Sequence, residues 1–370
     1  MRSHRQNTRI DGFSLTEIMV GIAIAMIAAV VIMQVFALFE GQKRAATSGS
    51  DALINGGIAI YTMERDARMA GYGLGALSAL GCKVNSSYNG TVQSFTLAPL
   101  TITDGAGGSP DTIRVLSSSK IGWSVLARIT TDHPPQATNM FVNTTQGIAV
   151  NDMLIAYQSG KDCTLLQATG IPNGNVQIHH QNTSPWNPPG GQNIFPQPDG
   201  YTTGAILFNL GSLIDHTYSL DAKGNLLLSA LQTVDNTTQQ QTIASNIVNL
   251  QAQYGFDTRP GTQTDGRVDT WSDAMIDADG SGVAGDSGDI RRIYAIRMAL
   301  VARSGTREKL KADGTCAVPP TTDANRPKWA AGTIDVSKNP DGSAVNDWNC
   351  YRYKVFETVV PLRNVLWGEP

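Results

Sequence analysis

The stretch best suited to holding an ion is Asp277-Ala278-Asp279-Gly280-Ser281-Gly282-Val283-Ala284-Gly285-Asp286-Ser287-Gly288-Asp289. Calcium takes six to eight oxygen ligands, and an acidic loop that glycine allows to turn can supply them. Set against an EF-hand loop, Asp277, Asp279, Ser281 and Gly282 stand at positions one, three, five and six. Position twelve is Gly288, so the bidentate glutamate is missing, and Asp286 or Asp289 would have to replace it. The same residues also read as a solvated turn between strands, and no flanking helices are evident. Calcium is the only cofactor the sequence suggests.

Other chemistry finds little support. The histidines are His4, His133, His179, His180 and His216. His179 and His180 are neighbours, and neighbours on a strand face opposite sides, so they do not chelate together. Asp215-His216 beside Ser212 is a coincidence of common residues. No H-E-x-x-H, G-x-S-x-G or P-loop pattern occurs, so the chain reads as a non-enzyme. Gly71-Tyr72-Gly73-Leu74-Gly75 closes a helix, whereas a dinucleotide fingerprint must open one. Trp186, Trp271, Trp329 and Trp348 fall in expected loops, where aromatic side chains either contact a partner or pack at an edge.

One acid stands apart. Glu17 lies at the start of an apolar run from Ile18 to Phe39 whose only strongly polar residue is Gln34. Twenty-two residues make about 33 Å of helix, and about 20 suffice to cross a bilayer. An unpaired carboxylate in such a span costs about 2.5 kcal/mol or more. A plain membrane anchor would have no use for Glu17. A secretory signal peptide would explain the basic residues Arg2, Arg5 and Arg9, but its apolar region is usually only about 7–15 residues.

The elements around these residues follow from periodicity. The helix is expected to run from about Ser14 to about Met69, with Gly71 and Gly73 as its stop. Leu53, Ile54, Ile58, Tyr61 and Met69 recur at helical spacing and would form the apolar face of its second half. Gly41, Gly49 and the Gly56-Gly57 pair each lower helix stability by about 1 kcal/mol relative to Ala, so bending or local melting is expected there. From Val92 onward the chain turns to short β segments: Ser94–Leu100, 111–117, Met153–Tyr157, 163–169, 176–179, 205–209, 213–219 and 225–230. Longer ones follow at Ile247–Phe256, 292–303 and 351–361. Ile296, Met298 and Leu300 alternate with Arg297, Ala299 and Val301, as on a half-buried strand. Residues 183–200 read as a long irregular surface loop. No regular β-α alternation appears, which argues against a doubly wound sheet.

Charged residues make up only 16% of the chain and the net charge is −3. Removing residues 1–12 takes away three Arg and one Asp, leaving 25 basic against 30 acidic side chains. Such a chain lacks the basic patch that nucleic acid requires. The arginines before the apolar run favour the cytoplasmic side and place the larger part outside, where disulfides form. Cys82, Cys163, Cys316 and Cys350 allow three pairings, of which the most local are Cys82–Cys163 and Cys316–Cys350.

Gly12-Phe13-Ser14-Leu15-Thr16-Glu17-Ile18-Met19-Val20 resembles the processing region of the type IV pilin superfamily. The resemblance implies cleavage by a prepilin peptidase after Gly12, N-methylation of Phe13, and pairing of the new amine with Glu17 in the same subunit or a neighbour. Tyr351-Arg352-Tyr353-Lys354-Val355-Phe356-Glu357-Thr358-Val359-Val360-Pro361-Leu362-Arg363-Asn364 is similar to the ending of PilW-like minor pilins. So are Ala67-Arg68-Met69-Ala70-Gly71-Tyr72 and Arg297-Met298-Ala299-Leu300-Val301-Ala302-Arg303-Ser304, whereas roughly 84–244 carries no such likeness. The implied fold is α+β and pilin-like: a long hydrophobic helix packed on an antiparallel β-sheet head with long loop insertions. The implied segments are a leader over 1–12, a transmembrane or fibre-core half over 13–40, an amphipathic half over 41–70 and a head over 71–370. The implied function is that of a minor pilin, inserted in the inner membrane with a periplasmic head. It would then join other minor pilins and the major pilin in priming a fibre. A J-type pseudopilin of type II secretion and a calcium-dependent pilus-borne adhesin are the alternatives.

Overall fold

The computed structural model describes residues 12, 14–74, 77–120, 126–172, 176–191, 194–261, 264–308, 310–311, 313–316 and 321–366. One unbroken helix, α1, spans Leu15–Met69, 55 residues or about 82 Å. The strands follow: β1 Lys83–Tyr88, β2 Thr91–Thr96, β3 Leu100–Thr103, β4 Thr112–Ser118, β5 Ala127–Arg128, β6 Asn139–Phe141, β7 Met153–Tyr157, β8 Cys163–Gln167, β9 Gln177–His179 and β10 Ile206–Gly211. Next come β11 Leu213–Leu220, β12 Leu226–Gln232, β13 Thr237–Ala244, β14 Ile247–Phe256 and β15 Thr270–Ser272. A one-turn helix α2 (Ser287–Arg291) leads into β16 Ile293–Arg303. Then β17 Lys328–Trp329, β18 Gly332–Thr333, β19 Tyr353–Pro361 and the terminal turn α3 Arg363–Leu366 complete the order.

Three main sheets result, ordered β2-β1-β8-β7-β10-β5, β13-β12-β11-β4-β3 and β15-β14-β16-β19. They are antiparallel except where β1 runs parallel to β8. The expected antiparallel head is therefore mostly, not wholly, antiparallel. The expected strand Ser94–Leu100 is two strands, broken at Leu97–Pro99. The β region begins at Lys83, earlier than Val92.

The main core lies under the second half of α1 and draws side chains from all three main sheets. On β16, Ile296, Met298, Leu300 and Ala302 face this core. The expectation of a half-buried β16 is corrected: Ala299 and Val301 on its other face are also buried, under Ile334 and Val336 of the following loop. A separate core, built on Ile129, Met140, Leu154, Leu166, Ile178 and Phe195, fills a lobe within residues 127–207. Residues 183–200 are largely irregular, as expected, but not merely a surface loop. Trp186, Ile194 and Phe195 from this stretch are buried.

The sheets are locked together by buried polar groups. The Asp111 carboxylate accepts hydrogen bonds from the N–H groups of Gly105 (2.9 Å) and Ala252 (2.7 Å), and the Asp111 N–H donates to the Leu250 carbonyl (2.8 Å). Burial, reinforced by neighbouring Asp104, pushes the Asp111 carboxyl up to about 7 against the pull of those two donors.

Candidate functional site: the N-terminal helix and its seat

Ser14 begins α1 as its N-cap. The Ser14 Oγ accepts from the Glu17 N–H (3.2 Å), and Glu17 Oε2 accepts from the Ser14 N–H (2.9 Å), a reciprocal capping box. Two otherwise orphaned N–H groups are thereby satisfied, and the carboxylate sits at the positive end of the helix dipole. The chemistry expected of Glu17 needs this carboxylate to reach an amine one residue before Ser14. Gly12 is among the described residues. Phe13 and residues 1–11, including Arg2, Arg5 and Arg9, lie outside them.

Leu15–Glu40 has a mean hydropathy of 2.7, and none of it is covered by the rest of the protein. It is the one helix among the described residues that is long and apolar enough to cross a membrane. A buried core helix would pass the same test, but such a helix is covered.

The second half of α1 does the opposite, and it does so with small side chains. Ser48, Ala52, Gly56, Ala59, Met63, Ala67 and Ala70 face the sheets and are buried. Their spacing of three and four residues draws one stripe along the helix. This corrects the expected apolar face: Leu53, Ile54, Ile58 and Tyr61 are 51%, 56%, 49% and 67% exposed, and Met69 is exposed with them. Large side chains on the buried stripe would hold the helix off the sheet. The expectation of melting at glycine is corrected for the same reason. A Cβ on Gly56 would lie 2.1 Å from Phe356 Cε2, so this glycine is where the β19 ring passes under the helix. Gly57 has open space and remains helical.

Polar pins fix the register of the seat. Asp66 Oδ2 accepts from the Tyr218 hydroxyl (2.6 Å) and pairs with His216 Nδ1 (2.7 Å), both on β11. Burial raises the Asp66 carboxyl, but the bonds from His216 and Tyr218 outweigh it and hold the group below its ordinary range. The Tyr218 hydroxyl is pushed up by burial and by Asp66. Nearer the uncovered half, Asn55 Nδ2 donates to the Ser245 carbonyl (3.2 Å) and the Thr306 N–H to Ser48 Oγ (3.2 Å). At the far end, Asn364 Nδ2 donates to the Ala70 carbonyl (3.1 Å), so the end of the β region caps the end of the helix. The Gly71 N–H donates to the Leu116 carbonyl (2.9 Å) and the Ser118 N–H to the Tyr72 carbonyl (2.8 Å). Gly71 and Gly73 have φ of 80° and 68°. Gly71 and Tyr72 thus dock on β4.

Cys82 is bonded to Cys163, and Cys316 to Cys350. The first ties β8 to the turn before β1, and the second ties the loop after β16 to the turn before β19.

In the acidic loop, oxygens of Asp277, Asp279 and Asp289 lie within 4.8 Å of one another. Asp289 is buried and acts as an anchor. It accepts from the N–H groups of Ala278 (2.6 Å), Asp279 (3.1 Å), Gly285 (2.7 Å) and Asp286 (3.3 Å). Asp286 is the N-cap of α2 and accepts from the Ser281 hydroxyl (3.0 Å). Of the five expected ligands, three converge, while Ser281 and Asp286 bond to each other. A calcium ion here would draw on Asp277 and Asp279, with an Asp289 carboxylate already holding four donors. Two of the tryptophans are corrected too. Trp271 and Trp329 lie on strands with the Arg297 guanidinium between them, 4.8 and 5.4 Å from the two rings. Trp348 stacks on Arg326, and Trp186 is buried.

Residues 216–364 match the family model described as Type IV Pilus-assembly protein W. That span runs from His216 on β11 to Asn364, and so contains both partners of Asp66, the Phe356 ring and the cap of α1. It takes in 216–244, part of the stretch 84–244 that the resemblance read from the sequence left unassigned. No curated protein matches the chain. The match supports a type IV pilus-related protein involved in pilus assembly, and the apolar helix fits membrane association.

Proposed function

We propose that the chain is a minor pilin that enters a type IV pilus through α1 and primes fibre formation with other minor pilins. The observation that carries this reading is the division of one continuous helix. Leu15–Glu40 is apolar and uncovered, while the stripe from Ser48 to Ala70 is fastened to the head. A helix seated so firmly transmits the position of its bare half to the head. In this reading the leader is cut after Gly12, Phe13 becomes the N-methylated first residue, and the bare half passes from the inner membrane into a bundle of like helices. Glu17 then exchanges the Ser14 N–H for the new amine, because a charge buried in an apolar bundle is stable only when paired. The head lies in the periplasm before assembly and on the fibre afterwards. Prepilin peptidase, other minor pilins and the major pilin are its partners. The test is Glu17→Ala in cells: processing is expected to continue while incorporation into pili falls. Unchanged incorporation and pilus number would remove the pairing role.

A further inference from the structure

We propose that His133 and His180 form an acid-labile clasp, which holds the lobe within residues 127–207 closed at neutral pH and releases it on acidification before the rest of the head opens. The two residues stand 47 positions apart and meet in the core of the lobe, with Nε2 of one 2.9 Å from Nε2 of the other. Only 1% of His133 and 4% of His180 is exposed. The Phe195 ring packs on both, with centroids at 4.8 and 5.3 Å. The backbone makes the meeting obligatory: His133 exchanges N–H···O bonds with Tyr201 (2.7 and 3.0 Å), and the His180 N–H donates to the Thr138 carbonyl (2.9 Å).

A bond between two Nε2 atoms requires one to carry hydrogen and the other to be bare, so the rings hold opposite tautomers. His133 Nδ1 is buried without a partner. A bare nitrogen tolerates that better than an N–H without an acceptor. His133 therefore donates from Nε2, and His180 accepts. A metal fits the pair poorly. Zinc–nitrogen bonds of about 2.0–2.1 Å at a tetrahedral angle spread the two nitrogens to about 3.3 Å. Among the described residues, no third His, Cys, Asp or Glu joins them.

One more proton has two places to go. On His133 Nδ1 it charges a buried ring with no acceptor in reach. On His180 Nε2 it removes the acceptor of the bridge. Burial accordingly pushes the imidazoles down, to about 4 for His133 and about 3 for His180, the latter lowered further by its partner. A hydrogen bond to each residue's own backbone raises the imidazole but does not outweigh burial. Asp132 is exposed and accepts from the Thr203 N–H and hydroxyl. The Tyr201 hydroxyl donates to carbonyls of Ala156 and Asp162. Lys161 Nζ donates to the Gly200 carbonyl, and Asp199 is exposed. His179 packs by Gly170, with its side chain on the opposite face of the strand from His180. Among the described residues, no carboxylate hydrogen-bonds either ring.

Linkage gives the sign. An opened lobe frees both histidines to titrate near their ordinary 6.5, so it binds protons that the closed lobe refuses. Between about pH 6.5 and 4, each unit of acidification multiplies the open fraction by up to about tenfold per histidine, or about a hundredfold for the pair. Asp111, outside the lobe, works in the opposite direction over the same range.

The test is hydrogen exchange by mass spectrometry on the full chain in detergent micelles at pH 7, 6 and 5, corrected for the intrinsic pH dependence of exchange. Peptides from 127–142 and 177–207 are expected to open some fiftyfold or more as pH falls from 6 to 5, while those from 247–256 and 293–303 do not. The double variant His133→Phe/His180→Phe keeps two rings and is expected to flatten the dependence. Should it not fold, the carbon-13 shifts of the wild-type imidazoles give the answer. Two of the five histidines are expected to stay neutral at pH 5 wherever the lobe remains protected. A pH profile shared by lobe and frame, a double variant that keeps the slope, or imidazoles that titrate above pH 6 with protection unchanged would each overturn the proposal.

Discussion

The pin at Asp66 yields the most demanding prediction, because two side chains, His216 and Tyr218, converge on one carboxylate oxygen and each of the three groups can be removed separately. Asp66→Ala deletes an acceptor that holds a fully buried tyrosine hydroxyl at 2.6 Å and the His216 ring at 2.7 Å. A hydrogen bond to a charged group is worth about 1.5–3 kcal/mol, and a buried hydroxyl left without a partner costs about 1–3 kcal/mol. His216 is the more exposed partner and adds less. We expect Asp66→Ala to destabilise the head by about 3 kcal/mol and Tyr218→Phe by about 1.5 kcal/mol. In Tyr218→Phe/Asp66→Ala no buried hydroxyl is orphaned, and the partly exposed His216 can turn to solvent, so the double variant should lie about 1.5 kcal/mol closer to wild type than the sum of the singles. Urea unfolding of the full chain in micelles, followed by tryptophan fluorescence, measures all four corners. Acid gives an independent check. The folded-state carboxyl sits below its unfolded value, so its stabilisation is full above the ordinary Asp range and is lost as pH falls through the folded value. Wild type and Asp66→Ala should therefore converge in strong acid. A coupling near zero at pH 7, or a gap that persists in acid, would show that the helix is not seated through this pin.

Three further outcomes follow from the same geometry. Gly57→Ala, in open space, should raise stability by about 0.5–1 kcal/mol through helix propensity, whereas Gly56→Val should lower it by about 1–3 kcal/mol by driving Phe356 aside; thermal melts separate the two. Asp289→Ala should cost about 3 kcal/mol by orphaning N–H donors of the acidic loop, and millimolar calcium should leave wild-type melting unchanged. A rise in wild-type melting temperature with calcium would instead establish the cation site. Asp111 gives a pH slope of opposite sign to the histidine clasp: its folded value of about 7 lies above the unfolded one, so its contribution falls as pH rises from about 4 to 7, and Asp111→Asn should reduce that slope in exchange rates over 247–256.

How far the sequence carries can be judged residue by residue. The extent of α1 was legible because an N-cap serine with Glu17 opens it and Gly71 and Gly73 close it. Ile247–Phe256 and Met153–Tyr157 were legible to the residue: the first alternates apolar residues with Asn249, Gln251 and Gln253, and the second is an unbroken apolar run. The local disulfide pairing was legible from spacing. The seat was not. Periodicity ranks residues by hydrophobicity, and it put Leu53, Ile58 and Tyr61 inward, whereas the close approach of helix and sheet selects side chains by size. The polar strand β13, Thr237–Ala244, carries Thr and Gln in place of apolar alternation and gave no signal. The partners of Asp66 lie about 150 residues away, and those of His133 and His180 depend on how the lobe folds, so no local pattern could pair them. Burial on both faces of β16 depended on a distant loop closing over Ala299 and Val301.

The central claim is that α1 is a processed membrane helix bound for a fibre. Intact mass with N-terminal sequencing of the protein extracted from membranes addresses it most directly. A chain beginning at N-methylated Phe13 is the expected result. A chain that keeps Met1, or begins at any other residue, contradicts it.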